Sequence, residues 1–179
     1  MAIKFDKFTQ KNQEAIQRSV EMAMELGHQQ IETEHLTYAL LKLEGGLISS
    51  FLSRFNISID ELLKNLEGEL EKKSSVEGGQ QPFLSSLVNK VLNEAQKIAS
   101  QMKDEYVSQE HVFLALFKDE STVLSKELKR NGVKEEDILN ILKQIRGGQK
   151  VDSANPEDKY QALEKYGRDL TALAKEGKL

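Results

Sequence analysis

The sequence contains no cysteine, no tryptophan and only two prolines among its 179 residues. Without cysteine the chain forms no disulfide and offers no thiolate to a metal ion, which fits a protein of the reducing cytosol. Both prolines, Pro82 and Pro156, lie between regions of helical apolar spacing, so no predicted helix contains a residue without an amide hydrogen. We therefore expect a cytoplasmic protein built from uninterrupted helices.

Long apolar runs and a surplus of positive charge are also missing. The longest apolar run, Val112 to Phe117, is far shorter than the roughly 20 residues of a transmembrane helix. The N-terminus lacks the apolar core of a signal peptide. The formal net charge is −4, because 29 acidic residues outnumber 25 basic ones, and this balance gives no electrostatic reason to expect nucleic acid. We expect neither a membrane nor a nucleic acid as a partner.

Sequence motifs of catalysis are absent as well. Gly147-Gly148-Gln149-Lys150 has neither the spacing nor the hydroxyl residue of a phosphate-binding loop. The three histidines, His28, His35 and His111, lack the spacing of two zinc ligands on one helix, and no serine lies in a nucleophile elbow. We therefore predict no catalytic residue, no metal and no cofactor within this chain, and we interpret His35 and His111 as hydrogen-bonded structural residues.

What the sequence does contain is a repeat. Thr33–Lys42 and Gln109–Lys118 carry Glu, His, Ala, Leu and Lys in the same order, 76 residues apart. The same offset relates further identical pairs without a gap: Ala23 and Ala99, Glu44 and Glu120, Leu52 and Leu128, Arg54 and Arg130, Leu63 and Leu139, and Leu66 and Leu142. This period is longer than that of ordinary solenoid repeats, so each copy is predicted to be a bundle of several helices.

Apolar residues at helical spacing predict four helices in each copy. Thr9 is expected to cap the first helix, Thr33 the second, and Ser108 the corresponding helix of the second copy. No stretch alternates apolar and polar residues with β-branched enrichment, so essentially no sheet is expected. The predicted fold is all-α, an eight-helix pseudo-two-fold duplication of a four-helix unit, with repeat 1 at about 8–72 and repeat 2 at about 84–148.

The composition changes after residue 148. Residues 149–158 are polar and contain Pro156, which is typical of a flexible linker. From residue 159 a new pattern of apolar residues at helical spacing begins: Tyr160, Leu163, Tyr166, Leu170 and Leu173. This segment is too short to form a core of its own, so we interpret it as the start of a second domain.

Glu34 and Glu110 are the carboxylates most open to interpretation. Each lies in the first turn of its predicted helix, where the helix dipole and free N–H groups stabilise an anion, so a structural role is one reading. The other reading places them on related faces, available to a cationic or polar group of a bound chain. The apolar residues near the second copy allow two readings also, as core or as the lining of a shallow groove for an extended peptide: Val91, Ala95, Ile98, Tyr106 and Val107.

Several of these segments resemble a known family. Gly27-His28, Thr33-Glu34-His35-Leu36 and the stretch from Ser108 to Leu116 are similar to the two repeat copies in the N-terminal domain of the Clp ATPases. Val76-Glu77-Gly78-Gly79 and the segment from Tyr160 to Leu179 resemble the ClpB disaggregase type, the latter at the entry to its first AAA+ module. The resemblance implies a Clp N-terminal domain at 1–148, a linker at 149–158 and the truncated start of a nucleotide-binding domain at 159–179.

The resemblance also implies partners. In this family the domain engages unfolded or aggregated polypeptide and delivers it to a hexameric, ATP-driven pore. The full-length protein is therefore expected to be a homohexamer that works with a DnaK-type chaperone system, with ATP and magnesium bound by AAA+ modules outside this chain. This chain alone is expected to be monomeric.

Finally, the resemblance assigns site residues. The substrate-binding positions include a polar set and an apolar groove: Thr9, Asp104 and Glu110 for the polar set, and Val91, Leu92, Ala95 and Tyr106 for the groove. The related ClpC type docks phosphorylated arginine or adaptors on two repeated carboxylates, which correspond to Glu34 and Glu110 here. Phosphoarginine or adaptor docking is therefore the alternative function.

Overall fold

The computed structural model describes residues 2–157, so the predicted start of a second domain lies outside the described residues. Within them are eight α-helices, a short 3₁₀ helix at Phe5–Lys7 and two strands, β1 (Gln30–Ile31) and β2 (Phe83–Leu84). The helices are α1 (Gln10–Glu25), α2 (Thr33–Lys42), α3 (Ile48–Arg54), α4 (Ile59–Glu71), α5 (Ser86–Gln101), α6 (Gln109–Lys118), α7 (Val123–Arg130) and α8 (Glu135–Arg146). The prediction of eight helices, four from each copy, is confirmed. None of these helices is long and apolar enough to cross a bilayer.

The long helix of each copy begins at equivalent residues. Thr9 precedes α1, and its Oγ1 accepts a hydrogen bond from the Asn12 amide at 3.4 Å. Ser85, 76 residues later, precedes α5, and its Oγ accepts from the Val88 amide at 3.1 Å. Each hydroxyl satisfies an amide that no helical carbonyl reaches. Thr9 is therefore the helix cap that the sequence predicts.

The repeated histidines fix the start of the second helix in each copy. His35 Nδ1 accepts the amide hydrogen of Glu32, and His111 Nδ1 accepts that of Ser108, both at 2.9 Å. Glu32 rather than Thr33 is thus the N-cap of α2, with the imidazole reaching back three positions to satisfy its amide. Neither histidine exposes surface. The interpretation of both as hydrogen-bonded structural residues is confirmed.

The residues just before the long helix of each copy pair with a short segment of the other copy through backbone hydrogen bonds. β1 and β2 pair in parallel with Ile31 opposite Leu84, and an isolated parallel bridge joins Phe8 to Val107. The 76-residue offset converts one pairing into the other, so both follow the pseudo-two-fold symmetry. The expectation of essentially no sheet is confirmed for residues 2–157, where the two paired strands have two residues each. These segments are too short to show alternation in the sequence, yet their buried backbone groups need partners beside the helix starts.

Helix α6 lies at the centre of the core, and its residues from Gln109 to Phe117 are all buried. It packs most extensively against α5 and also contacts α3, α7 and α8. The rings of Phe51 on α3 and Phe113 on α6 stack with centroids 5.1 Å apart, which joins the two copies. Gln109 adds a polar link between the copies, because its Oε1 accepts the Leu47 amide at 2.6 Å.

Candidate functional site

A buried network of polar groups lies where α5 ends. Lys103 takes a left-handed backbone conformation, with φ at 60°, just before Asp104. The Asp104 carboxylate accepts hydrogen bonds from Arg146 Nη1 and Nη2 at 3.0 and 2.6 Å, and His111 Nε2 lies 2.8 Å from it. Burial raises the pKa of Asp104, but hydrogen bonds from His111 and Arg146 outweigh it and hold the pKa well below its usual range. The side chains of Asp104 and Arg146 are only 0% and 6% exposed, so Asp104 is the centre of an internal network.

The equivalent network in copy one has different chemistry. His35 Nδ1 accepts an amide hydrogen, so its Nε2 carries the proton and donates to His28 Nδ1 at 2.8 Å. The 76-residue offset places His28 at the position of Asp104 and Leu70 at the position of Arg146. Burial lowers the pKa of His35 to about 4. Copy one therefore holds a neutral imidazole pair where copy two holds an ion pair.

Glu110 is almost completely enclosed in the first turn of α6. Ser108 Oγ donates to its Oε1, whereas its Oε2 has no hydrogen-bond partner in the described part of the chain. Burial raises the pKa of Glu110 to about 8; the Arg146 charge opposes this rise, and the Glu157 carboxylate adds to it. A carboxyl group with this pKa is mostly protonated at neutral pH. Glu110 is therefore a buried carboxylic acid and not an exposed anion.

Thr9 contacts a carboxylate that no sequence motif singles out. Its Oγ1 donates to Glu157 Oε1 at 2.7 Å, and the Gln109 amide, the first of α6, donates to the same oxygen at 3.3 Å. The Glu157 side chain is fully buried. Its carboxylate thus lies at the positive end of the α6 dipole, where free amides stabilise an anion.

Residues 149–157, which we call the C-terminal strap, lie across these groups. The Val151 amide donates to Asp104 Oδ1 at 3.0 Å, and the Val151 carbonyl accepts the Glu105 amide at 2.8 Å. The Ala154 carbonyl accepts the first amide of α1 at 2.9 Å. Flexibility of this segment stays a prediction, but the structure seats it against the domain with Val151 fully buried. We call the surface beneath it the strap face, which consists of Thr9, Gln10, Asp104, Glu105 and Gln109.

The apolar residues predicted to line a groove belong mainly to the core between α5 and α6. Leu92 and Ala95 expose no surface and Val91 exposes 2%. Val91 reaches the edge of a surface cavity of about 440 Å³ whose other walls are mostly charged or polar. Tyr106 is half-buried, with the Lys7 ammonium 5.6 Å from the ring centroid. These residues do not form an open apolar groove, because their side chains fill the space between packed helices.

Glu34, the copy-one counterpart of Glu110, is partly buried and paired. Lys73 Nζ lies 3.2 Å from its carboxylate, and the two side chains are 17% and 28% exposed for Glu34 and Lys73 respectively. The offset places Gln149 at the position of Lys73 in copy two, so Glu110 has no equivalent cation there. The two repeated carboxylates therefore differ in environment. Their joint use in phosphoarginine docking stays a prediction.

Four residues complete the site although the sequence did not indicate them as site residues: Gln109, Arg146, Val151 and Glu157. A signal for one of them was available. Arg146 is a charged residue at a position that is apolar in copy one, Leu70, and such a difference within a repeat indicates a special environment. The residues of the strap follow the duplicated region, so the internal repeat gave no comparable signal for Glu157.

Comparison with known families identifies this arrangement. Residues 7–131 match the model of the Clp repeat (R) N-terminal domain. The chain therefore belongs to the Clp N-terminal repeat domain family, and its two repeat copies are the two halves of the structure described above.

The relatives over nearly the whole chain are ClpB chaperones. The chain is 43% identical over 178 residues to chaperone protein ClpB of Nitratidesulfovibrio vulgaris, covering 97% of this chain and 21% of that protein. The Hsp104 N-terminal domain from Candida albicans superposes with a TM-score of 0.72 at 25% identity, over 84% of this chain and 99% of that chain. A ClpV N-domain solved in complex with a VipB peptide has a TM-score of 0.66 at 17% identity, over 80% and 90%, which shows the fold alone. The chain spans about a fifth of the length of its curated relatives.

Proposed function

We propose that this domain binds segments of unfolded or aggregated polypeptide for a ClpB-type chaperone, and that it does so at the strap face. Similarity to ClpB chaperones over 97% of the chain supports the role. The ClpV N-domain solved with a VipB peptide supports a peptide as a ligand that this fold accommodates. The proposal extends to the full-length protein, a homohexamer acting with a DnaK-type chaperone system and using ATP and magnesium in modules outside this chain.

One observation supports the proposed location of the site at the strap face. A stretch of irregular polypeptide already lies on the strap face, and backbone amides of Gln10 and Glu105 donate to its carbonyl groups at 2.9 and 2.8 Å. Backbone hydrogen bonds recognise a chain whatever its side chains, which suits a domain that meets many unfolded clients. The site is also small, so binding is weak and the client is released readily to the next step.

The apolar part of the site requires a structural change before it contributes. Val91, Leu92 and Ala95 are covered by the packing of α5 on α6, so exposing them would open the core at a substantial cost in buried apolar area. Tyr106 is already half-exposed beside the strap face. We therefore place the first contact with a client at Tyr106 and the polar groups of the strap face.

A matched pair of cap substitutions tests this location. Thr9→Ala and Ser85→Ala each remove an equivalent N-cap, which costs about 0.5–2 kcal/mol of stability in either case, but only Thr9 lies on the strap face. Titration of the ¹⁵N-labelled chain with casein, an unfolded model client, should shift the amide signals of Gln10, Glu105 and Gln109. Because the Thr9 hydroxyl also holds the Glu157 carboxylate, the two substitutions are compared in a Glu157→Ala background. There Thr9→Ala should weaken casein binding, whereas Ser85→Ala should leave it unchanged. Equal effects of the two substitutions, or shifts confined to other surfaces, would refute the location.

The alternative function, docking of phosphoarginine or an adaptor, draws support from one contact. The Glu34 carboxylate already pairs with a cation, Lys73, at 3.2 Å, so a guanidinium-bearing ligand would find a suitable anion there. Calorimetry with phosphoarginine should then show saturable binding that Glu34→Ala abolishes. A flat titration would remove this alternative.

A further inference from the structure

The C-terminal strap occupies the groups that the proposed function assigns to a client polypeptide. We propose that the strap is a built-in competitor: it covers the strap face, and it must leave before a client peptide binds there. The inference deepens the proposed function and rests on it for the identity of the client. The contacts between strap and domain, however, can be tested without any client.

The buried side chains of the strap lie near its two ends, and those between them face mainly outward. Val151, Pro156 and Glu157 are buried, whereas Asp152, Ser153 and Asn155 are exposed. The Glu157 carboxylate is held by the Thr9 hydroxyl and the Gln109 amide. The domain therefore accepts a small apolar side chain and, five and six residues later, a proline and a carboxylate. This spacing defines the class of peptide that competes best with the strap.

Copy one shows that the apolar anchor is particular to this side of the domain. The offset places Ser75 at the position of Val151, and its hydroxyl donates to the Leu26 carbonyl at 3.0 Å instead of filling an apolar site. The residues equivalent to the strap, 73–81, continue into β2, which is paired with β1. That stretch is thus fixed at both ends.

The energetics favour a strap that opens while the domain stays folded. Fixing the backbone of residues 149–157 costs conformational entropy for each residue. The return is a set of hydrogen bonds, each with a modest net gain, and the burial of Val151, Pro156 and Glu157. The entropy gained on release opposes the loss of these contacts, and the peptide affinity of the release variants measures the balance. None of the stacked core rings, such as Phe113, depends on the strap for its packing partner, Phe51.

The test uses the whole 179-residue chain with two release variants and one control. Val151→Ser installs the copy-one residue at the apolar anchor, and Glu157→Ala removes the carboxylate anchor. Asp152→Ala is the control, because it removes one negative charge, as Glu157→Ala does, but at an exposed position of the strap. The probe is a fluorescein-labelled peptide with the sequence of residues 149–157, followed by fluorescence anisotropy.

Both release variants should bind this peptide more tightly than the wild-type chain and Asp152→Ala. If the strap covers its face in about nine of ten molecules, its release tightens the apparent Kd by about tenfold. Amide hydrogen exchange at Gln10 and Glu105, which donate to strap carbonyls, should accelerate in the release variants, whereas exchange within α6 should not. Equal peptide affinity in release and control variants would overturn the inference. So would faster exchange throughout α6, because the strap would then be a structural part of the core.

Measuring casein binding by the same variants distinguishes failure of this inference from failure of the proposed function. Tighter casein binding by the release variants, with peptide competing against casein, supports both. Casein binding that is the same in every variant overturns the competitor role and leaves polypeptide binding by the domain intact. Absence of casein binding in the release variants overturns the proposed function, and the peptide and exchange measurements then report on the strap alone.

Discussion

Replacing Asp104 by alanine should destabilise the domain by about 3–5 kcal/mol, because it leaves the buried Arg146 guanidinium without its carboxylate. Arg146→Leu should cost a similar amount for the converse reason. The Asp104 carboxylate would keep only the contacts with His111 and the Val151 amide. Each single substitution thus removes the opposite charge from a buried ion, and the penalty is that of a buried charge whose compensation is weakened.

The repeat supplies the compensating double substitution. Copy one holds His28 and Leu70 at these two positions, so Asp104→His with Arg146→Leu gives copy two the neutral pattern that copy one already accommodates. The Asp104–Arg146 ion pair is then removed as a unit. The remaining cost is that of lost hydrogen bonds, such as the one from Arg146 Nε to the Gln149 carbonyl at 2.9 Å, about 0.5–1.5 kcal/mol for each bond.

Urea denaturation followed by circular dichroism at pH 7 measures these differences, provided that the slope of the transition is the same for all variants. The double variant should be more stable than either single variant. A substitution in an exposed ion pair, Arg18→Ala, is the control and should have little effect. A double variant whose destabilisation equals the sum of the two single ones would show that the two positions do not interact energetically, and the ion-pair argument would fail.

Two further predictions concern pH. The folded-state pKa of Glu110, about 8, lies above the value of 4.5 for a free glutamate, so the folded chain binds the proton more tightly and stability is lost as pH rises from 4.5 to 8. Glu110→Gln should remove this loss, which is at most about 5 kcal/mol. Identical pH profiles of the urea midpoint for the wild-type chain and Glu110→Gln would contradict the prediction. The folded-state pKa of His35 is lowered to about 4, so the unfolded chain takes up a proton first and stability falls as pH drops from 6.5 towards 4. His35→Gln should remove this part of the fall, and a midpoint of urea denaturation that falls equally in the wild-type chain and in His35→Gln would count against the buried imidazole pair.

Much of the helical architecture is predictable from the sequence because its causes are local. Apolar spacing sets each helix, Thr9 caps α1 through a residue three positions away, and His35 and His111 satisfy amides three positions earlier. The 76-residue offset further identifies which residues are equivalent in the two copies. Short-range rules thus account for the helices and for the structural histidines.

The environment of the site depends on contacts that local patterns do not contain. Asp104 meets Arg146 across 42 residues and Thr9 meets Glu157 across 148. The sequence shows Glu110 in a first helical turn, but the burial that raises its pKa arises only in the folded domain. The β1–β2 pairing could not be predicted from the sequence either, since strands of two residues are too short to show alternation of apolar and polar residues.

The crossed pairing of the two copies has a consequence for how the domain forms during synthesis. The Thr9 amide donates to the Val107 carbonyl at 3.0 Å, so the start of the first helix acquires this contact only after Val107, in the second copy, has left the ribosome. The Ser85 amide, conversely, donates back to the Ile31 carbonyl in the first copy. Neither half is a finished folding unit. The duplication therefore yields one cooperative domain, whose nascent first half depends on later residues for its final backbone partners.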